Sequence, residues 1–234
     1  RHSLIIGNSG SGKTNTVISL LLQLKNLERD IPFLIIEPAK KEFRFIKDYY
    51  EDIKVYTAGE NSRNCLKINL LEVPPFLTYS QWVNELLDIF STTFYVWQPL
   101  RESIWNSLNE IYQINGWTET KRGRTPTLEE FIHYGKLRIH TSSYDDKNKS
   151  VQEGAFEVRF ESLIKGSREL TFNAHASNPT IEDLLDKKVI IELDDLRNDD
   201  EKTLIFNFLM KKLFLYQQNR GHSFNKLRHL TVIE

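Results

Sequence analysis

The chain has 234 residues, 40% hydrophobic and 27% charged, a balance that predicts a packed globular core. Its formal net charge of −1 excludes an overall basic surface for nucleic acid, although a local basic lining stays compatible with it. One cysteine, Cys65, excludes an internal disulfide framework and predicts a reducing, cytoplasmic setting. No apolar stretch approaches the roughly 18–20 residues that cross a bilayer, and no signal peptide is evident, so no membrane contact is expected.

In chain order, apolar runs at 3–7 (SLIIG), 32–37 (PFLIIE), 53–58 (IKVYTA), 188–193 (KVIIEL) and 229–234 (HLTVIE) predict buried parallel strands. They are rich in Ile, Leu and Val without strict alternation, as strands covered on both faces are. Helical periodicity marks 13–27, 80–95, 99–115, 125–139 and 198–219. Pro99 suits a first turn. Thr127 with Glu130 three residues on has the spacing of a capping box. The last helix starts acidic, carries Lys211 and Lys212 late, and meets a stop at Gly221. The polar stretch 142–150 predicts a loop. Strands alternating with helices imply an α/β fold with a mainly parallel sheet. The division expected is a first core part over 1–69, a mainly helical insertion over 70–187, and a second core part over 188–234. Because the chain begins and ends on strand-like runs, more protein is expected on both sides.

Gly7, Asn8, Ser9, Gly10, Ser11, Gly12, Lys13 and Thr14 match G-x-x-x-x-G-K-[ST] at every fixed position, after a strand-like run and before a helix. Glycines let backbone N–H groups curl around a phosphate, and the helix start adds partial positive charge. Lys13 is expected on the β- and γ-phosphates of ATP, and the Thr14 hydroxyl on Mg²⁺. Asn15, next on the helix, completes the nucleotide-binding set. Hydrolysis also needs a carboxylate near the metal. Two strand ends offer one: Glu192, Asp194 and Asp195 after one run, and Glu234 at the end of the other. Local pattern does not separate them.

The sequence resembles the HerA/FtsK group of ring-forming ATPases, and the bacterial HerA-like members in particular. The resemblance runs through RHSLIIGNSGSGKT, FLIIEPAKKEFR, CLKINLLEVPP, EIYQINGW, PTLEEF, the segment from LLDKKVIIELDD to FLYQQNRG, and LRHLTVIE. It implies a RecA-like P-loop core. It implies that Glu234 is the metal-side acid of the Walker B strand, where Asp is commoner, and that the catalytic base follows it. It implies an arginine from a neighbouring subunit, located after that strand; within this chain Arg159 and Arg168 are weak candidates. Glu42, in AKKEF, matches a position near the γ-phosphate, and Glu37 is a weaker candidate in the same region. By resemblance the partners are a homo-hexamer, double-stranded DNA and a nuclease or other effector, with anti-phage defence among the settings of such relatives.

Other features have plainer readings. Trp82, Trp97, Trp105, Trp117, Phe90, Phe94, Tyr95 and Tyr112 are spaced for helix cores rather than base stacking. Lys121–Arg124 reads as a solvated loop more readily than as a phosphate contact. Lys40 and Lys41 sit on a loop near the nucleotide. The six histidines show no metal spacing. Two functions share this chemistry: a DNA translocase or helicase, and an ATP-gated scaffold that regulates an effector. A small-molecule kinase uses the same loop, but no acceptor site or lid is evident.

Overall fold

The computed structural model describes residues 2–26, 31–59, 64–221 and 227–234. Four parallel strands form one sheet: β1 (Phe33–Glu37), β2 (Lys54–Thr57), β3 (Lys188–Glu192) and β4 (Leu230–Ile233), in the order β2-β3-β1-β4. The central pair is buried along its whole length, which is why FLIIE and KVIIE show no polar alternation. The helices are α1 (Lys13–Asn26), α2 (Tyr79–Phe94), α3 (Gln98–Ile114), α4 (Leu128–His140), α5 (Asp146–Phe160), α6 (Glu169–Phe172), α7 (Ile181–Asp186) and α8 (Asp199–Arg220). A 3-10 turn at Glu42–Asp48 follows β1. Among the described residues no helix is long and apolar enough to cross a membrane.

Alternate residues of each strand point to opposite faces, and two apolar clusters result. Phe33, Ile35, Val55 and Ile190 face α1 and the 42–48 turn, meeting Leu21, Phe43 and Ile46. Leu34, Ile36, Val189 and Ile191 face the other way, into a larger cluster shared with α2, α3, α4, α5 and α8. The helices between β2 and β3 therefore pack on the sheet through a continuous core. Its centre is aromatic: Phe160 meets Phe90 and Phe131 edge-on and Phe156 tilted, Phe90 stacks with Phe131, and Trp82 packs on Phe208 and donates to the Leu70 carbonyl at 3.2 Å.

Several expectations need correction. The run at 3–7 forms no strand, and Leu4 and Ile6 are exposed. An apolar run becomes a strand only beside another strand's N–H and C=O groups, and among the described residues β4 pairs with β1 alone. The stretch 142–150 is a loop only in its first half, because Asp145 accepts from the Asn148 amide and starts α5. Of the aromatic residues expected in helix cores, Tyr95, Trp97 and Trp105 are exposed. The Thr127–Glu130 capping box is present as predicted, and Thr78 with Gln81 forms a second.

Candidate functional site

The phosphate-loop residues and the ends of three strands meet at one rim of the sheet. Gly10 and Gly12 have φ of 78° and 89°, a left-handed backbone that residues with a Cβ rarely adopt. The loop turns through a Ser11 amide bond to the Asn8 carbonyl at 3.1 Å, and α1 begins at Lys13. The first turn of α1, which includes Thr14 and Asn15, carries no acid to offset its N-terminal positive potential. Lys13 Nζ donates to the carbonyls of Gly7 and Asn8, both at 2.9 Å, so its ammonium lies inside the loop curve. Ser9 completes the turn.

The sheet register brings acids to the same rim. Glu37 ends β1 beside Glu192 on β3, and Ile36 pairs with Ile233 on β4, so Glu234 follows on the same row. Each carboxyl meets a different partner. Glu192 is fully buried and gripped by the Arg44 guanidinium, with Nη2 to Oε2 at 2.6 Å and Nε on Oε1, and the Thr57 hydroxyl donates to it at 3.0 Å. Glu234 Oε1 accepts from Thr14 Oγ1 at 3.2 Å, across 220 residues of sequence. Glu37 Oε1 accepts from the amides of Glu42 and Phe43 at 2.8 and 3.1 Å, while its buried Oε2 has no partner among the described residues.

Charge follows this geometry. Burial pushes the Glu37 carboxyl up to about 7; the two amides oppose the shift, and the nearby Glu192 and Glu234 charges reinforce it. Glu42 is held below the ordinary carboxylate range by the Thr14 hydroxyl, then by the Lys40 ammonium at 3.2 Å, with the Lys13 charge adding to both. Thr14 has one hydroxyl proton and two carboxylates facing it. A hydroxyl between two carboxylates is the oxygen-rich setting of a hard cation that keeps several waters. No cluster of three or more His, Cys, Asp or Glu suited to a metal occurs among the described residues. The residues present fit Mg²⁺ and ATP.

The structure brings Lys13, Thr14, Glu234 and Glu42 together. Of the competing acids, Glu192 is committed to Arg44 and Asp195 pairs with Lys41 at 2.8 Å, while Asp194 is exposed. Arg168 bonds Glu201 at 2.7 Å, and Arg159 donates to the Phe94 carbonyl and lies over Trp97. In the Lys121–Arg124 run, Arg122 donates to the carbonyls of Val73 and Pro74 and covers Trp117, and Arg124 pairs with Glu130. Glu37 was the weaker of the two candidates in this region by sequence. Its signal was a carboxylate closing an otherwise wholly apolar run, FLIIE, whose burial continues through the acid itself.

A family model described as "Helicase HerA, central domain" matches residues 1–213. A comparison with curated proteins gives no match. Among solved structures, VirB4 of Thermoanaerobacter pseudethanolicus is similar, with a TM-score of 0.69 and 18% identity over 97% of this chain. At that identity the likeness concerns the fold, and the chain spans 58% of the VirB4 chain's length. With a family model matched over most of its length, the chain belongs to the HerA helicase central-domain family, of the HerA/FtsK type of P-loop ATPases.

Proposed function

We propose that this chain is the motor domain of a DNA translocase or helicase, hydrolysing ATP with Mg²⁺ in a homo-hexameric ring that acts on double-stranded DNA in the cytoplasm. The observation that carries the hydrolytic part is the bond between Thr14, beside the phosphate loop, and Glu234, at the end of a strand 220 residues away. In this reading the amides of residues 8–14 bind the triphosphate, Lys13 neutralises the β- and γ-phosphates, and Asn15 extends the set on α1. Lys13 leaves the Gly7 and Asn8 carbonyls to do so. Thr14 and Glu234 would hold the metal, which when bound would supply Lewis-acid polarisation of the phosphates and offset developing charge. Glu42 faces the γ-phosphate side and orients the attacking water. A nuclease or other effector is the proposed partner, with DNA processing or anti-phage defence as the setting.

The family's helicase name supports the DNA assignment. The second reading, an ATP-gated scaffold that regulates an effector without translocation, shares the same phosphate chemistry. The basic run at 121–124 is taken up largely by internal contacts, which favours neither a groove nor a pore on that segment. ATPase rate measured with the whole protein against duplex length and salt separates the two. A translocase predicts strong stimulation by long duplex that fades as salt rises. DNA-independent turnover with no duplex binding at low salt would overturn the motor reading and leave the scaffold.

A further inference from the structure

The turn at Glu42–Asp48 begins with Glu42, whose carboxylate lies beside the Thr14 hydroxyl, yet its own start is not capped locally: the Lys41 side chain makes no cap bond. Its first two amides are instead received by Glu37, from the end of the neighbouring strand. On the far side the turn is fastened to the end of β3, by Arg44 on Glu192 and Lys41 on Asp195. Phe43 and Ile46 bury beneath it. Amides that lose a buried acceptor seek another, so the turn's position depends on Glu37.

We propose that Glu37 is a positioning residue for hydrolysis: through Oε1 it caps the 42–48 turn and so sets the Glu42 carboxylate against Thr14 and the γ-phosphate. This rests on the hydrolytic reading of the site and on the place of Glu42 within it. Glu37 acts through Glu42 and touches neither nucleotide nor metal. The fully buried Glu192 cannot take over, because both its oxygens are engaged by Arg44.

The test is steady-state ATP hydrolysis and nucleotide affinity for the whole protein with Glu37→Ala, Glu37→Asp, Glu37→Gln, Glu42→Ala and the Glu37→Ala/Glu42→Ala pair. Glu37→Ala removes the acceptor, and Glu37→Asp draws it back by one methylene. Both are expected to lower kcat by about 10- to 100-fold, as small misplacements of reacting groups do, while nucleotide affinity stays within about threefold. Glu37→Gln keeps an accepting oxygen and is expected to recover most of the turnover lost in Glu37→Ala. The paired variant is expected to be no slower than Glu42→Ala alone, since both act through one carboxylate. If Glu37→Ala does not fold, Glu37→Asp and Glu37→Gln decide by the same contrast. A Glu37→Gln variant as slow as Glu37→Ala, or losses that multiply in the pair, would overturn the proposal. Wild-type turnover in Glu42→Ala would remove it as well. Failure of the underlying reading looks different: the unsubstituted protein itself would not hydrolyse ATP.

Discussion

Glu192, Glu37 and Glu234 end three neighbouring parallel strands, and their environments give them different work. Arg44 neutralises the first, Thr14 engages the third, and Glu37 receives only two amides. Burial raises Glu37 from an ordinary 4.5 to about 7. Between those values the native state holds a proton that the unfolded chain has released. Stability from this group is therefore complete below about pH 4.5 and is lost as pH rises toward about 7. His229 opposes it: burial lowers its value, so its contribution improves as pH rises. Thermal unfolding of the nucleotide-free protein across this window is expected to show a Glu37-dependent decline. Glu37→Gln, which does not titrate, should flatten that component; an identical slope in the variant would contradict a protonated Glu37. Glu234→Gln keeps an oxygen near Thr14 and loses the charge a cation needs. Nucleotide binding should survive, while magnesium-dependent turnover falls by about 100-fold or more. Wild-type turnover would return the metal role to the acids after β3.

Helix α4 shows how far local pattern reaches. Its start was legible because Thr127 and Glu130 bond each other's backbone, a purely local device. Helix α5 was not, because the polar sequence around Asp145 reads as loop until Phe156 and Phe160 find the aromatic cluster. The two helices also make a specific contact. A Cβ on Gly135 would sit 2.2 Å from Phe156 Cζ, and Phe156 is fully buried. Alanine in a helix interior ordinarily gains about 1 kcal/mol over glycine. At this position overpacking of about 1–3 kcal/mol should outweigh the gain, so Gly135→Ala is expected to lower the unfolding temperature. A rise in Tm would show that the ring moves aside freely. Within α5 itself Gly154 has no such neighbour, since a Cβ there meets nothing within 4 Å, and Gly154→Ala is the control.

At the scale of the whole molecule, strand composition was legible for β1, β2, β3 and β4 because each meets a ladder partner within the sheet. It failed for residues 3–7 because pairing is not a property of a run's composition. The phosphate loop was legible for the opposite reason: its chemistry is fixed by eight consecutive residues. Which strand-end acid meets Thr14 was open by local pattern, since only the sheet decides that Glu234 bonds it while Asp195 pairs with Lys41. In the proposed reading, the fold makes one nucleotide site from segments far apart in the sequence. Magnesium-dependent ATP hydrolysis by the whole protein and its Lys13→Ala variant tests that site most directly. Among the described residues the Lys13 ammonium donates to the Gly7 and Asn8 carbonyls of the loop and to no core group, so the variant should keep its unfolding temperature and lose turnover to background. A folded Lys13→Ala protein that hydrolyses ATP at the unsubstituted rate would contradict a triphosphate held in this loop.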